Sequence, residues 1–455
     1  MLQRKLDYQS LKTVLLYTDA NIRFQISLHM PSIRKIEKIV PLKINRLAFE
    51  DFGTSVNKTH YSFGIYRHYI SGNVPEYHKE DNEEIGNWFD IDEFGFDVFP
   101  GRSILLPGDV SFREEDVGEF RQDTEGTERS YRERLMANEA ALEIRTVLES
   151  TGKTVNEYLQ SLPPIPEDEA GGEEARIRFA LRRPVEEMHR LIDVDKALLQ
   201  PFDSRRNNTK PPFICYLQFT ITKENCRQIQ RFEYNKKIFE AIKSLNEILF
   251  GGRVFPIQVK RFNFTNSGEI CRLPIGFRVR ANRVNSCKDM ISHKGFSLIV
   301  ENSESLGTLR IFSLTLETTA SPIVRNSKRI IFFYRNGPLF EIIRELPNLE
   351  ISVRITEKEY SAEIYYEFIN EWLSGDRPIG SSFWIPLKDD ETGRKVLKLV
   401  RTFYKNKHRR TKRCLTIFGN DLSKLEVFYV PNKRPEMEDH ENYFKWMLKI
   451  RIVAI

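Results

Sequence analysis

The sequence predicts a mixed fold, α+β with α/β character. Short N-terminal helices and a small sheet come first, then a charged helical linker, then a C-terminal half of alternating helices and strands with leucine-rich-repeat-like stacking. Three observations carry that expectation. The segment Pro41-Leu-Lys-Ile-Asn-Arg-Leu-Ala-Phe49 returns, type for type, as Pro256-Ile-Gln-Val-Lys-Arg-Phe-Asn-Phe264. Each copy reads as a strand entered through a proline, with Leu42 and Ile44, or Ile257 and Val259, alternating toward one face. From Leu309 onward strand and helix periodicities alternate, which favours parallel pairing or a solenoid-like stack. Between the halves, residues 113–210 carry dense alternating charge around the proline- and glycine-rich stretch Leu162–Glu174, the composition of a linker with marginal helices flanking a disordered tip.

In chain order, Tyr8, Leu11, Val14 and Leu15, then Phe24, Ile26 and Leu28, then Ile33, Ile36 and Ile39 mark two or three short helices over residues 8–40. Tyr61–Tyr66 alternates large and small residues as a second strand, and the acidic, aromatic text from Glu76 to Pro107 reads as a loop packed on the sheet. Pro211–Ile221 is a strand. Ile238, Ile242, Leu245 and Leu249 mark a helix that stops at Gly251-Gly252 and feeds the second repeat strand. Strands are expected at Ile311–Leu316, Arg329–Tyr334 and Leu349–Ile355. Helices are expected at Leu339–Leu346, through Tyr365, Phe368, Ile369 and Trp372, and around Val396–Phe403, before three closing strands at Cys414–Phe418, Leu425–Val430 and Trp446–Val453. Four regions result: 1–112, 113–210, 211–320 and 321–455.

The totals exclude more than they identify. A 455-residue chain with 40% hydrophobic and 12% aromatic residues builds several packed cores, and its formal charge of +6 demands neither nucleic acid nor membrane. Five scattered cysteines, none before Cys215, fit neither a disulfide framework nor a zinc pattern, and no apolar signal core follows Met1, so an intracellular chain, cytoplasmic or nuclear, is expected. No phosphate-cradling glycine loop, zinc-protease helix or nucleophile elbow is present, and no cofactor or metal is expected. His60 and His68 would share a strand face with no nucleophile or carboxylate placed beside them by spacing, which reads as a solvated face. Asp90, Asp92 and Glu93 read as surface charge, the cysteines as buried or half-buried small residues, and Trp372 as core. Lys405–Arg413 has six Lys or Arg in nine positions, and its place between a helix and a strand without interleaved aromatics reads as a solvated loop before a nucleic-acid site.

Leu11–Ser27, Met30–Glu37, Pro41–Ile44, Tyr61–Arg67, Phe213–Thr222, Tyr234–Lys237, Leu273–Gly276 and Trp446–Ile450 together resemble a Caenorhabditis-expanded family of uncharacterised proteins across nearly the whole chain apart from the charged linker. Within it, residues 6–45 look like a degenerate F-box, with Leu6-Asp-Tyr in place of the usual Leu-Pro and Met30 in place of the family's cysteine. The tail with Trp372-Leu-Ser-Gly375 looks like an F-box-associated region. The resemblance implies a non-enzymatic protein-interaction module, a substrate-recruiting subunit of a ubiquitin ligase, with a Skp-type adaptor as partner. Leu11, Val14, Leu15, Phe24 and Ile26 would supply the adaptor-binding face, or equally pack onto the protein's own first sheet. The alternatives are an enzyme of unrecognised fold and a nucleic-acid binder through residues 405–413.

Overall fold

The computed structural model describes residues 7–100, 103–112, 123–166, 171–224, 226–264, 270–286, 294–301, 306–312, 314–334, 339–355, 360–374, 377–404, 408–418, 422–432 and 444–455. Three short helices open it: α1 (Tyr8–Tyr17), α2 (Ala20–His29) and α3 (Pro31–Ile39). Asp7 caps α1 by accepting from the Ser10 amide, Asp19 caps α2 through the Asn21 amide, and Pro31 starts α3, where its missing N–H costs nothing. An antiparallel run follows, β1 (Lys43–Glu50), β2 (Gly53–Val56) and β3 (Thr59–Tyr69). The text from Glu76, read as loop, begins with a helix, α4 (Glu76–Glu83), and goes on to the two-residue strands β4 (Asp90–Ile91), β5 (Asp97–Val98) and β6 (Val110–Ser111). Polar residues dominate α4, so periodicity gave no signal; His78 and Asn82 are its only inward-facing, buried residues.

The helices expected on both sides of the charged segment are present and two of them are long: among the described residues 123–207 are α5 (Glu125–Thr151), α6 (Val155–Ser161), α7 (Glu173–Leu181) and α8 (Val185–Asn207). Ala141, Ala180, Leu181 and Met188 form their shared core, and Phe202 of α8 packs edge-on against Phe96 at 4.8 Å. Part of the expected disordered tip, residues 167–170, lies outside the described residues. The helices leave and rejoin the sheet at one point, because β3 pairs along its whole length with β7 (Phe213–Lys223), from Thr59 opposite Lys223 to Tyr69 opposite Phe213.

After β7 come β8 (Cys226–Glu233), α9 (Ile238–Phe250), β9 (Ile257–Phe264), β10 (Ile270–Cys271) and β11 (Val279–Ser286). The strand–helix alternation then runs α10 (Lys294–Ile299), β12 (Thr308–Ile311), α11 (Leu316–Thr319), α12 (Pro322–Asn326), β13 (Arg329–Tyr334), α13 (Leu339–Glu345), β14 (Glu350–Ile355), α14 (Ala362–Ser374), β15 (Ser382–Leu387) and α15 (Asp390–Phe403). The chain closes with β16 (His408–Arg410), β17 (Cys414–Phe418), β18 (Ser423–Pro431) and β19 (Trp446–Ala454). One fifteen-stranded sheet takes nearly all of these strands, in the order β16-β17-β18-β19-β15-β14-β13-β12-β11-β9-β1-β2-β3-β7-β8. Its centre, from β15 to β1, is parallel, and both flanks are antiparallel.

The two matched nine-residue segments are neighbours in this sheet. β1 lies parallel to β9 with Ile44 opposite Val259, Arg46 opposite Arg261, Leu47 opposite Phe262 and Phe49 opposite Phe264, so each residue faces its sequence counterpart. The sequels to the two segments diverge: Tyr61–Tyr66 lies in β3, antiparallel to β2, whereas Leu273–Gly276 is a turn before β11. Leu47, Phe262, Val284, Leu309, Ile330, Ile351, Phe383, Ile450 and Val427 form one continuous row across nine strands, and none is more than 1% exposed. From Phe262 to Ile351 the row recurs every twenty-one to twenty-five residues, one strand and one crossover at a time, and these strands pair in parallel, one of the two arrangements the alternation favoured. Trp372, Tyr365, Phe368 and Ile369 of α14 are buried against this row's face, as their helical spacing required.

Candidate protein-interaction surfaces

Because strand side chains alternate between faces, the residue before each core position, or after it on the antiparallel β19, points the other way, and these residues form a second row: Arg46, Arg261, Arg283, Thr308, Arg329, Glu350, Ser382, Arg451 and Glu426. This row is polar from end to end. On β1, β9 and β11 burial repeats identically at the register, with Asn45 and Arg46, Lys260 and Arg261, and Asn282 and Arg283 exposed as adjacent pairs. Beside them, Asn285 donates to Asn263 at 2.8 Å across two strands. Further along, the open face is closed over by its own long side chains. The Trp384 ring has Lys449 3.8 Å and Arg329 4.8 Å from its centroid, while Arg329 also pairs with Glu350 and Arg451 with Glu426.

The N-terminal helices present a different chemistry. Of the five residues named for an adaptor face, Leu15 and Phe24 are buried, and Phe24 packs edge-on against Phe250 of α9 at 5.8 Å, so these two belong to the protein's own core. Val14 is exposed, and Leu11 and Ile26 are half-buried. Around them Tyr8, Tyr17, Ile22, Leu28 and Met30 are exposed, large and apolar. The bundle is fastened beneath by Arg23, which donates to Glu37 and to the carbonyls of Glu37, Val40 and Pro41, while Arg253 reaches the same Glu37 carboxylate at 2.9 Å. Periodicity identified which helices carry apolar residues; it did not separate the inward from the outward stripe, because both stripes are apolar.

The remaining candidates resolve into structure. His60 accompanies Ser55 and Glu50 on one face: Ser55 Oγ donates to Glu50 Oε1 at 2.7 Å and lies 3.0 Å from His60 Nδ1. Neither companion was evident from spacing, since two hairpin turns bring them together. The arrangement does not activate the serine, whose proton goes to the carboxylate and leaves the imidazole no role as its base. His68 is eight residues further along β3, ~27 Å at strand rise, and contacts Tyr66 and Tyr216 instead.

Asp90 is not surface charge. It is buried, accepts from the Tyr234 hydroxyl and the Ile238 amide at the start of α9, and burial raises its carboxyl pKa. Asp92 accepts three successive backbone amides, from Phe94, Gly95 and Phe96. Cys215 and Cys414 are half-buried and Cys271 buried, and desolvation raises all three thiols, Cys215 to about 11. Cys226 is exposed, against expectation, on a strand every residue of which is exposed, and Cys287 lies outside the described residues. The basic run 405–413 is not all loop: residues 408–410 form the edge strand β16, residues 405–407 lie outside the described residues, and Arg413 sits 4.5 Å over the Trp446 ring and 3.3 Å from Asp390.

Among the described residues no group of three or more His, Cys, Asp or Glu is placed to hold a metal ion, and no helix is long and apolar enough to cross a membrane. A cleft of about 250 Å³ at the start of β9 is lined by Val254, Phe255, Ile275, Arg253 and Arg278, with no acid, base or nucleophile converging on it. Residues 237–389, about a third of the chain, match the model of a domain of unknown function, DUF3557. The matched stretch runs from the start of α9 through β15 and so takes in β9 and β11 with the strand–helix units that follow. No curated protein and no solved structure matches the chain.

Proposed function

We propose that this protein is a non-enzymatic interaction module, a substrate-recruiting subunit of a ubiquitin ligase that holds a Skp-type adaptor on its N-terminal helices and a target on the open face of its sheet. The observation that carries the reading is the apolar surface of α1 and α2. Tyr8, Val14, Tyr17, Ile22, Leu28 and Met30 are all exposed on a bundle whose interior is already filled by Leu15 and Phe24 and fastened by Arg23 and Glu37. Large apolar side chains left in solvent on one small folded unit support a protein-binding role for it. The resemblance of residues 6–45 to an F-box supports an adaptor as the occupant. The enzyme reading has less support, because the cleft described above is below the usual size of ligand pockets and gathers no reactive groups.

Calorimetric titration of a purified Skp-type adaptor into the full-length protein tests this. Saturable binding that is lost in Val14→Asp/Tyr17→Asp, with the circular dichroism spectrum unchanged, is the expected result. A folded full-length sample that binds no adaptor overturns the ligase assignment.

A further inference from the structure

The open face of β1, β9 and β11 carries a charge arrangement that the fold itself does not use. Arg46, Arg261 and Arg283 stand at the same register position on three adjacent parallel strands, about 4.8 Å apart from one strand to the next. Lys43, three residues before Arg46 on β1, and Lys260, adjacent to Arg261, extend the cluster. All five side chains are exposed, and none makes an ion pair or a side-chain hydrogen bond with any described residue. Their neighbours behave otherwise. Arg278 and Arg280 are held by Glu301, Arg329 by Glu350, and Arg451 by Glu426. Like charges directly opposite one another on paired strands repel, so three arginines in one row oppose the folding they take part in. Further along the row Glu350 and Glu426 neutralise Arg329 and Arg451, and among the described residues no carboxylate pairs with the three arginines here.

We infer that this cationic patch is the target-binding site of the open sheet face, and that its ligand is a short acidic segment of a partner protein. The inference rests on the interaction-module reading above and adds the chemistry of the target. The footprint excludes a long polyanion. A strand of nucleic acid continuing along the row would leave the arginines and meet Glu350 and then Glu426, whereas a few consecutive Glu or Asp residues span only the three strands where the cations are free. The patch also offers carboxamides, Asn45, Asn263, Asn282 and Asn285, and no exposed ring on β1, β9 or β11 on which a base would stack. Carboxamides hydrogen-bond peptide groups, and arginine forks take carboxylates in bidentate fashion.

The test is fluorescence-anisotropy titration of the full-length protein with a labelled glutamate decamer, a lysine decamer and a twelve-nucleotide thymidine strand. The comparison protein is the triple variant Arg46→Gln/Arg261→Gln/Arg283→Gln. These residues are exposed and unpaired, so the variant folds, and unchanged circular dichroism together with retained adaptor binding verifies that. The expected result is saturable binding of the glutamate decamer that weakens as salt rises and falls about tenfold or more in the variant, a loss equivalent to removing one to two favourable charge contacts. Tighter binding of the thymidine strand than of the decamer overturns the acidic-peptide assignment in favour of nucleic acid. Equal decamer binding by wild type and variant, or none by either, also overturns it. Adaptor binding measured on the same samples separates the two claims: if it persists while decamer binding is absent, the patch assignment falls and the recruiting function stands.

Discussion

Arg23 and Glu37 meet 2.9 Å apart with no more than 1% of either side chain exposed, and they join two helices that an adaptor would have to address from outside. Arg253, at the exit of α9, shares the same carboxylate, so a single buried anion ties the N-terminal helices to the sheet's first crossover helix. Burial lowers the pKa of both arginines and Glu37 opposes it, so the carboxylate offsets part of the cost of desolvating them. Glu37→Gln leaves two buried guanidinium groups without their counter-ion. A loss of ~3–5 kcal/mol in urea unfolding is expected; a loss below ~1 kcal/mol would mean that the helices are held by apolar packing alone.

Neighbouring positions on α1 should respond oppositely. Leu15 fills the core, so Leu15→Ala costs ~2–5 kcal/mol, whereas Val14→Asp on the exposed stripe stays within ~0.5 kcal/mol of wild type and yet abolishes adaptor binding. Measured together by denaturant unfolding and calorimetry, the pair separates a docking face from a packing face. Equal destabilisation by both would show that α1 has no free side.

Arg261 sits between Arg46 and Arg283, so it carries most of the row's mutual repulsion. Replacing it with Gln keeps the polar surface and removes the central charge. Stability is expected to rise by ~0.2–1 kcal/mol at low ionic strength, and the gain to vanish at about 0.5 M salt, where the Debye length falls below the strand spacing. A decrease at low salt would show that the Arg261 stem contributes more by packing than its charge costs.

The strands with β-branched and aromatic alternation, β1, β3, β7, β9, β13, β14 and β17–β19, were legible because burial on one face writes a period of two into the sequence. The same signal does not reveal which strands become neighbours. Arg46 and Arg261 stand in matching segments, but Arg283 joins them only through β11, whose Val279-Arg-Ala-Asn-Arg-Val284 is too polar and too small-chained to announce a strand. α4 escaped for a related reason: its inward side is His78 and Asn82, which hydrogen-bond rather than bury apolar surface, so no hydrophobic stripe marks it. Ser55 and Glu50 became partners of His60 through hairpin geometry, and Asp90 became a helix-start acceptor for a helix about 150 positions away. Hairpin turns assemble the first of these and long-range pairing the second, and side-chain periodicity records neither.

His78 supplies the pH dependence. Its Nδ1 lies 2.6 Å from the Tyr69 hydroxyl, and Arg67, Phe213 and Tyr77 surround it. Burial first, and the nearby Arg67 charge second, push its pKa down to about 3. The folded imidazole therefore stays neutral where the unfolded one protonates, and below about pH 6.5 the unfolded state binds the extra proton. The stabilisation is complete above pH 6.5 and is lost progressively as pH falls toward 3. The buried carboxyls of Asp81 and Asp97, both paired with Arg67, are raised mainly by desolvation and work in the opposite direction in acid, so the comparison must be with a variant rather than with pH alone. Between pH 7 and pH 5, wild type should lose up to ~2 kcal/mol more than His78→Phe in urea unfolding, the linkage for 1.5 pH units at one group. Parallel stability curves for the two proteins over that interval would show that the folded His78 takes up its proton over the same range as the unfolded one.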